Sequence, residues 1–345
     1  MPSVNEFLQN ERVDRLATIA EYKEETIRML LPILQSLADD VRQTIRSRHL
    51  TSYQERRVQA LLREVNRQIV AGYRTLGREL NAELRELVKA EIGYSATLLN
   101  ESVGVAFANR PTIDQILAAA KATPFNGTLL TEYFERLPAS AGVRLQDQLR
   151  TGYLAGETAQ QIQTRIRPIV TNDLFNWTAT LTRDAVTHFQ VTANQEVYRA
   201  NSDVIRGVQW TATLDTGTTE ICSRNDGTIH PIDQMHRIPA HIGCRSDWTP
   251  VLRHHRGFPF EVPDQRRNSI DGLVPDDLTY GAWLRMQSRA RQEERLGIAK
   301  ARLFREGNLP IQRFSTRLGR PFTLNELRTR NPATWEQIFG NTRDN

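Results

Sequence analysis

Residues 58–87 read VQALLREVNRQIVAGYRTLGRELNAELREL, and their spacing decides the fold class. Val58, Leu62, Val65, Ile69, Tyr73, Leu76, Leu80, Leu84 and Leu87 recur in steps of three and four, with Arg, Glu, Gln and Asn between them. Such a stripe fits a long helix with one apolar seam and a charged remainder, close to a heptad repeat. Ser52 with Glu55 three residues on has the form of a capping box, which starts the helix there and makes His49–Thr51 a corner. Running to about Val88, this helix spans roughly 55 Å at 1.5 Å per residue. Upstream, Leu30, Leu34, Leu37, Val41 and Ile45 repeat the spacing, with Pro32 expected to kink that helix. The reading is an antiparallel helical hairpin; self-association of the N-terminal helices as a coiled coil is the alternative.

Beyond the hairpin, Gly104–Thr128 is punctuated by Gly, Asn and Pro around one short helix, Ile113–Ala122. Further helices are predicted at Leu129–Leu137, Ser140–Ala155, Thr158–Val170 and Asp173–Ser202. The pattern changes at Gly207: Val208, Trp210 and Ala212–Leu214 read as a strand, Asp226-Gly227 as a turn and Trp248–Leu252 as a returning strand. Gly257–Pro275 is rich in Pro and Gly and reads as a linker or extended arm. A helix over Leu278–Arg305 is stopped by Gly307, Asn308 and Pro310, and short helices follow at Leu324–Arg330 and Ala333–Phe339. The expected fold is mainly α with a small α+β domain. Its parts are a long N-terminal helical hairpin arm at 1–103, a helical hinge region at 104–150, a compact core with a Cys/His-containing β-hairpin at 151–255, and a linker with a basic helical C-terminal arm at 256–345.

The chain has 345 residues, of which 39% are hydrophobic and 25% charged, enough for two or three domains with their own cores. No stretch approaches the roughly 18–20 apolar residues of a membrane helix, so no membrane-spanning segment is expected. The opening MPSVNEFLQNERVDRL lacks a basic-then-apolar leader, which predicts a protein made and used inside a cell, or inside something assembled there. Net charge is +5, yet between Trp283 and Arg330 eleven arginines and Lys300 face only four glutamates. Arg285, Arg289, Arg291, Arg295, Lys300, Arg302 and Arg305 are therefore candidates for contact with DNA or an acidic partner. A solvated helix face is the plain alternative. No nucleotide-binding glycine loop, Walker motif or serine elbow is present.

Both cysteines, Cys222 and Cys244, lie in Trp210–Pro250 beside His230, His236 and His241. His241-Ile242-Gly243-Cys244 has the spacing of a zinc-ligand pair, with Cys222 as a third ligand and His230, His236 or Asp215 as a fourth. Cys222, His230, His241 and Cys244 are thus the candidate metal set, for a structural zinc. Two buried thiols or a Cys222–Cys244 disulfide fit the same residues. Asp233, His236, His241 and Cys244 also bear a faint likeness to the metal finger of HNH nucleases. That gives an alternative function, a metal-dependent nuclease acting in genome packaging or entry, although no ligand-bearing helix is predicted after His241.

Trp210–Asp215, Thr218–Cys222, Asp226-Gly227 and Pro239–Ser246 with Pro250 together resemble the head morphogenesis, or minor head protein, family of tailed bacteriophages, the Mu F-like proteins. Gly156-Glu157-Thr158 and Thr182-Arg183-Asp184 resemble the segments that lead into this motif. A second block, Tyr280 to Leu284, Gln287, Gln292, Leu296-Gly297, Arg302–Phe304, Gly307, Phe314 and Thr323–Leu327, is similar to the C-terminal region of many of these proteins. The resemblance covers roughly residues 150–330 and makes 151–255 the family's core domain. It implies a structural protein without catalytic residues: a low-copy minor capsid protein inside the phage head at the portal vertex, assembled in the host cytoplasm. The partners implied are the portal protein, scaffold or major capsid protein, and packaged double-stranded DNA bound without sequence preference, with ejection alongside the genome. Its structural motif residues here are Trp210, Asp215, Asp226, Gly227, Pro239, Arg245 and Ser246. More cysteine-rich members carry Cys-x-x-Cys and His-x-x-Cys-Arg-Cys; Thr219 and Ser246 replace two of those thiols. Arg245 is expected to pair with Asp215 across the loop, since its planar fork matches a carboxylate.

Overall fold

The computed structural model describes residues 4–47, 55–253, 266–275, 278–316 and 319–340. The Ser52 capping box, the corner at His49–Thr51 and the first part of the expected linker lie outside the described residues. The fold is mainly α with a small antiparallel sheet. Contacts divide the chain into two compact units, one formed by Met1–Thr18, Ile92–Pro111 and Asn194–Asn345, the other by Ile19–Glu91 and Thr112–Ala193. This is a different division from four consecutive segments, because long helices contribute residues to both units.

In the helical unit, the parts of α1 (Val4–Ser47) and α2 (Glu55–Val103) that lie within Ile19–Glu91 run antiparallel. The Tyr22 hydroxyl donates to the Glu83 carbonyl at 3.0 Å, and the Gln68 amide donates to Thr44 Oγ1 at 2.8 Å. Every residue of the α2 stripe is at most 3% exposed. Val58–Tyr73 cluster with Leu37, Val41 and Ile45 of α1 and with Ala141, Leu145 and Leu149 of α4 (Leu130–Leu154). The seam thus packs inside the chain, as the hairpin reading expects. Pro32 sits within α1 without ending it.

Helix α3 occupies Ile113–Ala122 as predicted, closed by a capping box in which Thr112 Oγ1 accepts from the Gln115 amide. Two other expectations need correction. The helices predicted on either side of Pro138 are one continuous α4. An interior proline costs roughly 3 kcal/mol, and burial of Pro138, Ala141, Leu145 and Leu149 in the core offsets it. The break predicted near Thr171 is a π-helical turn, Pro168–Asp173, joining α5 (Ala159–Arg167) to α6 (Leu174–Ala200). Pro168 has no N–H to give, and the wider turn accommodates its ring.

The other unit carries β1 (Ile205–Thr211), α7 (Glu220–Asn225), β2 (Ile229–His230) and β3 (Asp247–Leu252), with sheet order β2-β1-β3, all antiparallel. Trp210 faces Trp248 across β1 and β3, their rings edge to face at 5.1 Å. Strand β1 starts earlier than predicted and stops at Thr211, because the next amide, Ala212 N, is taken by the Asp226 carboxylate. The second half of the expected linker is a hairpin, β4 (Arg266–Ser269) and β5 (Gly272–Pro275), turned by Gly272 at φ +97°. The long C-terminal helix is three: α8 (Tyr280–Met286), α9 (Arg289–Leu296) and α10 (Ile298–Arg305). Ser288 caps α9 through its side chain, and Gly297 at φ +77° sets the second break. With α11 (Leu324–Arg330) and α12 (Pro332–Phe339), these helices enclose a core of Leu214, Tyr280, Trp283, Leu303, Phe304, Phe314 and Leu327. The basic helical C-terminal segment thus has a packed core of its own.

Candidate functional site

Gly243, at φ +72°, curls the segment after Pro239 so that the Cys244 amide donates to the His241 carbonyl at 3.2 Å. The turn brings His241 and Cys244 to Cys222 on the short helix α7. Cys222 Sγ lies 3.2 Å from His241 Nε2 and 3.8 Å from Cys244 Sγ, and the three ligand atoms all fall within 4.8 Å of one another. Both sulfurs are buried, and no disulfide joins them. Two thiolates about 2.3 Å from a tetrahedral zinc would themselves be about 3.8 Å apart. His241 Nδ1 lies 2.9 Å from the Ile242 carbonyl. With that nitrogen donating, Nε2 presents its lone pair to the sulfurs, as a metal-ligating histidine does. The three side chains could hold a metal ion.

The electrostatics of the two thiols diverge. The Cys222 thiol is pushed up by its hydrogen bond toward Cys244 and by burial. Cys244 is held well below the ordinary thiol range by that same bond and by His241, against the effect of burial. Cys244 is therefore the sulfur that ionises first. The hydroxyls of Ser246 and Thr219 also favour the Cys222 thiolate, and Thr219 Oγ1 is buried without another partner.

His230 does not join this group. Its place in β2 sets its ring 5.4 Å from Trp248 and 4.9 Å from His236, with Nε2 2.9 Å from Thr228 Oγ1. Asp215 is also engaged elsewhere: Arg245 Nη2 donates to its Oδ1 at 2.8 Å and Nη1 donates to Oδ2, the bidentate pair expected from the sequence. The remaining motif residues frame the centre. Trp210 is buried in the sheet, Gly227 turns the chain at φ +80°, and Pro239 follows a cis peptide bond.

Asp226 does more than turn the chain. Its Oδ1 accepts from Ala212 N and Arg267 Nη2, each at 2.8 Å. Its Oδ2 accepts from Tyr280 N at 2.7 Å and Arg267 Nη1 at 3.1 Å. Arg267 in turn donates to the Ala212 and Leu278 carbonyls. One buried ion pair thereby links the end of β1, the β4 strand and the start of α8. A second lies between Arg12 and Asp247, both 0% exposed, joined by Asn194 and Ser95. Sequence reasoning missed Arg267, Arg12, Asp247 and Asn194, none of which stands in a recognisable local pattern.

The candidate basic contacts are largely committed within the fold. Arg285 donates to the Phe304 carbonyl, Arg289 pairs with Glu293, Arg291 with Asp271, Arg295 with Glu220, and Arg302 and Arg305 with Glu306. Lys300 meets Glu220, Arg295 and Glu326 only through space. Among the described residues no helix is long and apolar enough to cross a membrane. Compared with known proteins, the chain matches no family model, no curated protein and no solved structure.

Proposed function

We propose that the chain is a structural minor capsid protein of a tailed phage, low in copy and held inside the head at the portal vertex. In this reading it contacts portal, scaffold or major capsid protein and packaged double-stranded DNA, and leaves with the genome. The observation that carries it is the meeting of the two sequence blocks that resemble the minor head family. Leu214 of the first packs in one core with Trp283, Phe304 and Leu327 of the second. Tyr280 of the second bonds both Asp226, through its amide, and the Asp215 carbonyl, through its hydroxyl at 2.9 Å. Blocks separated by about thirty residues and picked out independently thus behave as one motif. Thr219 and Ser246, which replace thiols of the cysteine-rich members, flank Cys222 together with Cys244, as substituted staple positions should.

The same reading assigns zinc to Cys222, Cys244 and His241, whose soft sulfur and imidazole donors suit it. A bound zinc supplies a cross-link between α7 and the turn at His241–Cys244. Cys244, the more acidic thiol, gives up its proton first, and the Ile242 carbonyl fixes the His241 ring. Imaging the intact particle without imposed symmetry tests the function: density for this chain at a single vertex is expected, and its absence from the particle overturns the proposal.

One observation favours a second reading, a metal-dependent nuclease: three protein ligands with one position left for water is the usual pattern of catalytic zinc. Nicking of a supercoiled plasmid by the wild type, abolished in His241→Ala, is what that reading requires.

A further inference from the structure

Arg295 is the most buried of the candidate basic side chains, 8% exposed, and its guanidinium is only partly satisfied. Nε donates to the Tyr280 hydroxyl at 3.1 Å and Nη1 to Glu220 Oε1 at 3.1 Å, while Nη2 is buried with no partner. A buried guanidinium nitrogen without an acceptor is costly and marks a place where a group is expected. The Arg295 side chain also lines a small recess of about 20 Å³, together with Lys300, Glu220, Ser223 and Ser315 and an apolar wall that includes Phe314. Roughly 10–15 Å³ holds one water-sized group, so one oxygen atom fits and a whole metabolite does not. The lining sets two cations against a single carboxylate, and Arg295 Nη1 already occupies that carboxylate.

We infer that this recess is an oxyanion site, in which one oxygen of a phosphate group accepts from Arg295 Nη2 while Lys300 neutralises its charge. Ser223 and Ser315, both buried, line the same recess. The Lys300 ammonium is disfavoured by burial; Glu220 supports it and Arg295 opposes it. A bound phosphate relieves both penalties. A guanidinium serves here because its planar fork holds Glu220 and the incoming oxygen on different nitrogens, which an ammonium cannot do. The recess belongs to one unit and is assembled from α7, α9, α10 and the residues that follow Pro310. Phosphate oxygens come from the free ion or from a nucleic-acid backbone. Only the second source rests on the head-protein reading.

Calorimetric titration of inorganic phosphate into the full chain, in a buffer whose counter-anions are large and organic, tests the site. The wild type is expected to bind one phosphate saturably, and Lys300→Met to bind at least about tenfold more weakly, roughly 1.4 kcal/mol of lost contact. Lys300→Met leaves the Arg295–Glu220 pair in place, so the variant keeps its frame. Arg295→Lys retains the charge but not the second nitrogen, and is expected to lose binding with its far-ultraviolet dichroism unchanged. Absence of saturable binding in the wild type means that the recess holds only water and overturns the inference. Equal binding by Lys300→Met does the same. A short DNA duplex added to the phosphate-loaded protein separates the sources. Release of phosphate, followed by its phosphorus resonance, assigns the site to backbone phosphate. Retention assigns it to the free ion, which supports the site and counts against this part of the DNA contact.

Discussion

The seam of α1, α2 and α4 and the frame around Asp226 hold their surroundings together by opposite means. In the seam, Val65, Ile69, Leu145 and Leu149 are buried against one another, each a small contribution that any similar apolar side chain could make. In the frame, a single carboxylate satisfies four donors from three parts of the chain, and its cation is as buried as itself. The seam is redundant and tolerant. The frame is specific and brittle, because removing either partner strands a charge in the interior.

Asp226→Ala is the sharpest way to break that contrast. It leaves Arg267 buried without its carboxylate and the Ala212 and Tyr280 amides without an acceptor. Loss of a buried partner costs about 3–5 kcal/mol, expected here as an early collapse of amide protection at β1 and α8 in hydrogen exchange. Adding Arg267→Met should return part of the loss, since the stranded charge is then gone. A single variant that unfolds no more easily than the wild type would show the frame to be dispensable.

Ile69→Ala tests the seam. Truncating a buried aliphatic residue costs about 2–5 kcal/mol, the sum of lost transfer energy and the cavity left behind. Ile69 is 0% exposed in a densely populated cluster, so about 3 kcal/mol is expected by denaturant titration. The contrast lies in repair: Ile69→Leu should recover most of the loss, whereas Asp226→Glu, longer by one methylene in a site with four fixed donors, should recover little.

The same difference explains what was legible in the sequence. A repeat of three and four residues is a local property, so the α2 stripe is visible in the order of residues alone. Helices α3 and α11 are legible for the same reason, their ends marked by Thr112 with Gln115 and Thr323 with Glu326. Asp226-Gly227 is equally visible as a turn, but a turn does not say where its carboxylate points. Arg267 lies 41 residues away, in a Pro- and Gly-rich stretch that reads as a linker until its hairpin is seen. Of the metal candidates, His241 and Cys244 follow from spacing around Gly243, and Cys222 from being the other thiol. His230 fails because strand pairing, with Val208 opposite it, carries its ring away toward Trp248. Pro138 misleads in the other direction, since its burial in the core overrides its local preference.

His230 also supplies the smallest effect, one that sharpens the line between structural and titrating groups in this region. Burial, and then the neighbouring His236, lower its pKa from the ordinary value of 6.5. Thr228 Oγ1 donates to the Asn225 carbonyl at 2.5 Å, so it accepts from His230, which places the neutral ring's proton on Nε2. A second proton on Nδ1 brings charge into a partly buried ring beside Trp248 and His236. Because the folded state resists that proton while the unfolded chain takes it up near pH 6.5, stability is unaffected well above 6.5. It declines as pH falls from 6.5 through the lower folded value, then levels off. The ring is only partly buried, and solvent screening keeps the decline shallow. Denaturant midpoints measured from about pH 8 to about pH 5 should show it, and His230→Gln should flatten the slope. A slope that persists unchanged in His230→Gln would move its origin to another group.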